Sequence, residues 1–181
     1  MPEPEFASLS CRYPLRRQDR CMSDEISIRH TLETARVGSF SFVDGDEPYV
    51  IPWSYGYDLN DGKLRLYLHC AHSAGRKLAI LAKNPKVAFE IHCDLVLNID
   101  EKHPCSSGWS FRSVTGVGHM RQLQGPEKVH GLQRLFENQA KRIAEGINEK
   151  VAEMVDVLCL DVDTFTGKQL NIAKAPLPII G

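Results

Sequence analysis

A ten-residue stretch, LHCAHSAGRK, carries many of the side chains in this sequence that could do chemistry. It runs from Leu68 to Lys77 and places two histidines and a cysteine just before two adjacent cations. Three kinds of site use such residues: a metal centre, a cysteine nucleophile with a histidine base, and a cradle for a phosphate group. The spacing of the residues, and the elements that position them, must decide among the three.

A zinc site fits this spacing poorly. His69, Cys70 and His72 are all competent zinc ligands. Successive side chains of a strand point to opposite faces, however, so His69 and Cys70 are expected to diverge. A structural zinc site needs four ligands, and the other cysteines and histidines form no second close pair of standard spacing. We therefore predict no metal site, while a haem, which needs only one axial histidine, stays open.

The nucleophile interpretation would pair Cys70 with His69 or His72. Nothing in the sequence places the cysteine at a helix N-terminus or supplies a group that orients the base. A buried structural cysteine is the more common role for this residue type.

The phosphate interpretation requires only free backbone amides and nearby cations. Residues 73–75 stand where a predicted strand is followed by a predicted helix, and free backbone N–H groups at a helix start attract anions. Arg76 and Lys77 add two cations that can clamp a phosphate. The alternative is an ordinary helix start with solvated cations, and spacing alone favours neither.

The composition narrows the classes of protein. The 181 residues include 22 basic and 23 acidic side chains, a balance that disfavours a nucleic-acid partner. No apolar run approaches the roughly 18 residues of a membrane span, and the N-terminus lacks the pattern of a signal peptide. The six cysteines show no C-x-x-C spacing. We therefore expect a cytoplasmic protein with reduced thiols.

Alternating hydrophobicity predicts six strands in mainly antiparallel connection. Pro52 indicates an edge or a bulge, and Gly116 and Gly118 indicate a bulge or a close backbone approach. NDGK is a favoured hairpin turn and TFTGK is predicted to be a turn after the last strand. The predicted strands are SFSFV, YVIPWSYGYDL, LRLYLHC, KVAFEIHCDLVLNI, SFRSVTGVGHMRQLQ and VDVLCLDV.

Helices are predicted between some of these strands. The first is capped by Ser23 and ends at Gly38, and the second runs from Ser73 to Lys83. The third covers 126–138 with a stripe of Val129, Leu132, Leu135 and Phe136, and a fourth reaches Met154. The pattern favours a mainly β protein, a small β-barrel with helices. We divide it into an N-terminal arm (1–22), one domain (23–170) and a C-terminal tail (171–181).

A longer stretch carries a family resemblance. The segment PYVIPWSYGYDLNDGKLRLYLHCAHSAGRKLAILAKNPKVAFEI, followed by SFRSVTGVGHM, resembles the pyridoxamine 5′-phosphate oxidase-related flavin-binding split barrels. Within them it looks most like the branch of Nim-type 5-nitroimidazole resistance proteins. The resemblance runs from about Arg17 to Lys168, and the ordered set of segments is more specific than any one of them.

The resemblance implies a six-stranded FMN-binding split β-barrel and a homodimer with a flavin at each interface site. It implies non-covalent FMN, or less often FAD, and a small-molecule electron acceptor. Carried over by position, Arg76 and Lys77 bind the 5′-phosphate, and His69 binds the cofactor and is the catalytic candidate near flavin and substrate. The alternative for His69 is a strand-end histidine bonded to backbone. The other implied cofactor-binding residues are Ile51, Pro52, Trp53, Ser54, Ala71, Arg112 and Ser113.

The sequence also departs from the family pattern. The C-terminal tryptophan and arginine–histidine pair of true pyridoxamine 5′-phosphate oxidases are absent from DVDTFTGKQLNIAKAPLPIIG, which argues against vitamin B6 oxidation. Three other functions stay open: a flavin reductase of another substrate, a haem-binding or haem-degrading split barrel, and a non-enzymatic flavin-binding module. No G-x-G-x-x-G fingerprint occurs, so a nicotinamide donor would have to bind at the flavin itself.

Overall fold

The computed structural model describes residues 16–72 and 75–170, and this part of the chain contains one antiparallel sheet of eight strands. The prediction of a mainly antiparallel β fold with helices is confirmed. The six predicted strands are present, but YVIPWSYGYDL is divided in two at Tyr55, and a two-residue strand precedes the first helix. The strands are β1 (Cys21–Met22), β2 (Val37–Asp44), β3 (Glu47–Ser54), β4 (Gly56–Asn60), β5 (Lys63–Ala71), β6 (Lys86–Asn98), β7 (Gly108–Gln122) and β8 (Val155–Leu170).

Four α-helices connect the strands in this part of the chain: α1 (Glu25–Thr34), α2 (Arg76–Leu81), α3 (Gly125–Ala140) and α4 (Glu149–Glu153). The predicted cap of α1 is wrong, because Asp24 and not Ser23 accepts the hydrogen bond from the Ser27 amide. Its predicted end is wrong as well, since Gly38 lies within β2. Gly75 is the N-cap residue of α2. The predicted cap Ser73 lies outside the described residues.

The order of strands explains why the sheet is a split barrel. The main path is β3-β2-β6-β7-β8-β5-β4, with β1 paired to β8. The two end strands, β3 and β4, are separated in the chain only by Tyr55, so the sheet must curl until its ends meet. Tyr55 is fully buried, and its hydroxyl donates to the carbonyl of Leu32 at 2.9 Å.

Glycines allow close approaches at two places. A Cβ on Gly56 would lie 2.3 Å from the amide nitrogen of Leu135, so α3 packs directly against β4. A Cβ on Gly118 would lie 2.2 Å from the carbonyl oxygen of Asp161, and the β7–β8 register shifts between Val117 and Gly118. Both features predicted for this glycine, the bulge and the close approach, are confirmed.

The predicted turn TFTGK is wrong, because Thr164 to Lys168 continue β8 in register with β7. Gly167 does not form a turn; it provides space for a close packing contact. A Cβ there would lie 2.5 Å from Cδ1 of Ile28, so the glycine lets α1 rest on the sheet. The predicted NDGK hairpin is confirmed, with Asp61 and Gly62 at φ 50° and 73° as a two-residue turn requires.

The main core fills the inside of the curled sheet. Alternate residues of β2 and β6, among them Phe40, Phe42, Phe89 and Ile91, point inward and are buried. The opposite face of the same strands, which we call the outer face, carries polar, small and exposed apolar side chains. Of the stripe predicted on α3, Leu135 is buried and the other three residues are half-buried.

Candidate functional site

The strand–helix junction after β5 lies beside the gap between the two ends of the sheet. Trp53, from end strand β3, donates from its indole Nε1 to the carbonyl of His69 in β5 at 2.9 Å. The ammonium of Lys77, in the first turn of α2, sits 4.0 Å above the centre of the Trp53 ring. Three of the predicted cofactor-binding residues, Trp53, His69 and Lys77, are therefore brought together, and we call them the junction cluster.

His69 has the properties of a neutral imidazole. Burial, and to a smaller extent the Lys77 ammonium, lower its pKa from 6.5. Its Nδ1 atom is buried and has no hydrogen-bond partner among the described residues. A buried polar atom left in this state is a site where a bound molecule can supply the missing partner.

The guanidinium of Arg76 already forms ion pairs with two acidic residues. Its Nε lies 3.2 Å from Asp44 and its Nη2 lies 3.1 Å from Glu47, and the guanidinium stacks 4.6 Å above the ring of Tyr49. These carboxylates at the β2–β3 turn compete with any phosphate for Arg76. Lys77 forms no ion pair among the described residues, so it is the freer of the two cations.

The four residues predicted in β3 do not share one face. Ile51 and Trp53 point toward the core, while Pro52 and Ser54 lie on the outer face, as strand alternation requires. Pro52 lies in an end strand of the sheet, which confirms the predicted edge position. Ala71 is the last residue of β5 and is exposed.

Arg112 and Ser113 also point to opposite faces of the sheet. Arg112 is 3% exposed, and its guanidinium contacts the carboxylate of Asp94 on the core side. Ser113 lies on the outer face, directly across from His92. Arg112 is therefore held inside a buried ion pair, while Ser113 is open to a ligand.

Sequence reasoning missed the group around Arg112. The ring Nε2 of His30, in α1, lies 2.9 Å from the same Asp94 oxygen that Arg112 contacts. Asp94 stands at a register shift in β6 with φ 56°, and no local pattern indicates that it would meet a residue 64 positions earlier. Burial raises the pKa of Asp94, but hydrogen bonds from Arg112 and His30 outweigh that effect and hold it below 3.8.

The same group includes a set of metal-type donor atoms. His30, Cys93 and Asp94 offer nitrogen, sulfur and oxygen atoms that all lie within 4.8 Å of one another. The guanidinium of Arg112 already neutralises Asp94 and would repel a cation. Burial also raises the pKa of the Cys93 thiol to about 12, which opposes the thiolate form that metals bind. The group is best described as a buried ion pair.

His72, the residue that follows β5, is bonded to the neighbouring strand β8 and to the end of α4. Its Nδ1 lies 2.8 Å from Asp156 and its Nε2 lies 2.5 Å from the carbonyl of Glu153. Gln122 donates to the same Asp156 oxygen at 2.8 Å. Both ring nitrogens of His72 are therefore engaged by protein groups.

The comparison with known families agrees with this geometry. The family model described as pyridoxamine 5′-phosphate oxidase matches residues 24–169. The chain belongs to the pyridoxamine 5′-phosphate oxidase family. The resemblance inferred from the sequence is confirmed, and the match to this family spans both the junction cluster and Arg112–Ser113. No curated protein sequence matches the chain.

Solved structures support the same family fold. A provisionally named 5-nitroimidazole antibiotic resistance protein from Bacteroides thetaiotaomicron is 25% identical, with a TM-score of 0.67 over 82% of this chain and 85% of that one. A flavocytochrome from Azotobacter vinelandii is 19% identical, with a TM-score of 0.68 over 89% and 74%. An FAD- and haem-binding protein from Mycobacterium smegmatis is 19% identical, with a TM-score of 0.66 over 84% and 74%.

Among the described residues, none of the helices is both long enough and apolar enough to cross a bilayer.

Proposed function

We propose that this protein is a flavin-dependent oxidoreductase that holds FMN non-covalently at the junction cluster. The observation that carries the proposal is the meeting of Trp53, His69 and Lys77 beside the gap in the barrel, within a chain of the pyridoxamine 5′-phosphate oxidase family. The residues present fit the cofactor at both of its ends.

The phosphate end would be held by cations. Lys77 is the stronger anchor, because it has no carboxylate partner among the described residues. Arg76 would contribute the donors that Asp44 and Glu47 leave free, since a guanidinium has five N–H groups. This division predicts that Lys77 contributes more to affinity than Arg76.

The ring end would lie beside Trp53 and Ile51, with His69 at its edge. When bound, the flavin supplies the electron-transfer chemistry. A neutral His69 whose Nδ1 lacks a partner can hold or deliver a proton at that atom. Trp53 positions the His69 backbone through its indole hydrogen bond.

The cofactor site would be completed by a second copy of the chain. Val37, Val43 and Val50 expose 50%, 46% and 62% of their surface on β2 and β3. Apolar side chains grouped on one sheet face commonly mark an interface. A homodimer through this face would cover them, and Ser113 of the same outer face could then contribute to the flavin site.

The substrate of the reaction is proposed from similarity. The Bacteroides thetaiotaomicron protein, at 25% identity, is named for resistance to 5-nitroimidazole antibiotics. We propose reduction of a nitroimidazole as the activity of this chain, with a small electron acceptor bound over the flavin. Flavin-loaded protein that never reduces a nitroimidazole with any donor, NADH, NADPH or dithionite, would leave a flavin reductase of another substrate or a flavin-binding module.

The first test is the absorption spectrum of the purified protein before and after addition of FMN, with FAD in parallel. We expect the two visible bands of a bound oxidised flavin. The Soret band of a haem on reconstitution would replace this proposal with a haem protein. A protein that takes up neither flavin nor haem would refute it.

The second test asks whether FMN binding depends on Lys77 of the junction cluster or only on the positive charge of any nearby lysine. Lys77→Met should weaken FMN binding by about 10- to 100-fold, because a charge-assisted phosphate contact is lost. Lys83→Met, an exposed change just beyond the same helix, should have little effect. Equal affinities of the two variants for FMN in fluorescence titration would place the phosphate elsewhere.

A further inference from the structure

Two carboxylates face each other at the turn between β2 and β3. Asp44 and Glu47 are directly opposite in the register of the two strands, so their side chains leave the same face of the sheet. Like charges in directly opposite positions repel each other and destabilise a strand pair. Three of the four residues in the sequence DGDE are acidic, and we call residues 44–47 the acidic turn. The opposed pair is therefore expected to take a counter-ion.

Arg76 is this counter-ion. Its Nε lies 3.2 Å from Asp44 and its Nη2 lies 3.1 Å from Glu47, so one guanidinium bridges both carboxylates. The ring of Tyr49, 4.6 Å from the guanidinium carbon, supports it from β3. Three contacts thus hold Arg76 at the acidic turn, although it is adjacent in the chain to Lys77 of the junction cluster.

We propose that the acidic turn regulates the exchange of flavin at the junction cluster. Asp44 and Glu47 withhold Arg76 from the phosphate, so a bound flavin is held mainly by Lys77 and is released more readily than two free cations would allow. The exchange of flavin rests on the proposed function. The competition for Arg76 does not, because any phosphate that approaches the two cations meets it.

The exposure of these ion pairs sets the strength of the competition. The side chains of Arg76, Asp44 and Glu47 are 44%, 37% and 66% exposed. Ion pairs exposed to this degree are weak, because water and salt screen them. A phosphate that attracts Arg76 also removes the counter-ion of the opposed carboxylates, and their repulsion then counts against binding. The acidic turn therefore lowers the affinity without closing the site, as an exchangeable ligand requires.

A purely structural role for the acidic turn predicts a different result. Cations in the first turn of a helix lie near the positive end of its dipole, and Asp44 and Glu47 would then only neutralise Arg76. Their removal would lower the free energy of unfolding and leave the affinity for phosphate unchanged. Withholding of Arg76 predicts a gain in affinity instead.

The test compares FMN with riboflavin, which is the same molecule without its phosphate. The double variant Asp44→Asn/Glu47→Gln should bind FMN about fivefold more tightly, mainly through slower release, and should bind riboflavin as the wild type does. Asp46→Asn is the matched control, since Asp46 is an exposed residue of the same turn and forms no ion pair within the described part of the chain. It should change the affinity for FMN by less than about twofold. Fluorescence titration gives the affinities, and stopped-flow displacement gives the release rates.

A double-mutant cycle shows whether the gain depends on Arg76. Arg76→Met should weaken FMN binding by about twofold in the wild type and by about tenfold in the double variant. The Arg76→Met protein and the triple variant should consequently bind FMN with nearly equal affinity. A structural role of the acidic turn would not produce this coupling. Urea denaturation checks that each variant is folded.

Inorganic phosphate tests the competition without flavin. In a Trp109→Phe background Trp53 is the only tryptophan of the chain, and the Lys77 ammonium lies over its ring. An anion that draws the ammonium away from the ring should therefore change the Trp53 fluorescence. We expect a saturable change whose midpoint is about fivefold lower in phosphate concentration for the double variant.

The outcomes separate this inference from the proposed function. Equal FMN affinities of wild type and double variant, a gain that persists with Arg76→Met, or an equal gain for riboflavin or for Asp46→Asn would overturn the inference and keep the proposed function. Absence of FMN binding in every variant, with the phosphate effect present, would refute the proposed function and keep the competition for Arg76. Absence of both effects would refute both.

Discussion

At the scale of single residues, Trp53 links elements that are far apart in the chain. It joins β3 to β5 through its indole hydrogen bond and to α2 through Lys77. The sequence resemblance indicated all three residues, because strand alternation and helix spacing carry over between relatives. It could not show that Arg76 is held by Asp44 and Glu47, since those partners come from a turn whose side-chain positions no local pattern specifies.

The Asp94 ion pair provides a prediction about stability. Asp94→Asn removes the negative charge that neutralises buried Arg112, and an unpaired buried cation is costly. We expect a loss of about 3 kcal/mol in the free energy of unfolding, measured by urea denaturation. Asp163→Asn breaks the exposed pair with His119 and should cost well under about 1 kcal/mol. Equal losses would show that Arg112 is not stabilised by Asp94.

The lowered pKa of His69 gives a prediction about pH. An unfolded histidine takes up a proton near pH 6.5, whereas folded His69 resists protonation because of burial and Lys77. Its contribution to folding stability is therefore present above pH 6.5 and lost as the pH falls through its lowered folded pKa. The free energy of unfolding should decline less over this range in His69→Gln than in the wild type. Parallel pH profiles of the two proteins would contradict the inferred environment of His69.

At the scale of elements, hairpins and strands were the predictable features. Asn60 to Lys63 formed the expected turn, because Asp61 and Gly62 there adopt the positive φ angles of a two-residue loop. TFTGK misled the prediction because its glycine resembles a turn signal. In the folded chain Gly167 makes room for Ile28, a contact between α1 and β8 that depends on tertiary packing.

The β7–β8 pairing gives a prediction about glycines. Gly118→Ala would place a methyl group against the Asp161 carbonyl, which belongs to backbone and cannot rotate away. We expect a loss of about 2 kcal/mol or more in the free energy of unfolding. Gly108→Ala, in the same strand with open space around it, should change stability by less than about 0.5 kcal/mol. Similar melting temperatures for the two variants would argue against the tight contact.

At the scale of the whole molecule, the family and fold were predictable, but the role of the two sheet faces was not. Alternation in β7 shows that Arg112 and Ser113 point in opposite directions. It does not show which face meets α1. Which face meets α1 depends on the curl of the sheet and on the space that Gly167 leaves. The sequence resemblance therefore assigned Arg112 and Ser113 to one cofactor site, whereas in the structure their side chains lie on opposite faces of the sheet.

The proposed homodimer gives a prediction about assembly. Val50→Glu places a charge among the exposed valines of β2 and β3, and burying that charge in an interface is unfavourable. Light scattering should show a dimer for the wild type and a monomer for this variant. Ile143→Glu changes an even more exposed apolar residue after α3 and should leave the dimer intact. A wild-type monomer, or a Val50→Glu dimer of unchanged affinity, would refute an interface on this face.

The position of β8 in the sheet has a consequence for synthesis of the chain. β8 is the last of the described strands to leave the ribosome, yet it lies between β7 and β5 and also pairs with β1. Until β8 emerges, the β4–β5 hairpin has no neighbouring strand. Arg65 in β5, for example, cannot pair with Asp161 in β8 until almost a hundred further residues have been synthesised. The nascent chain therefore carries unpaired strand edges through most of its translation, a state in which association with other chains competes with folding.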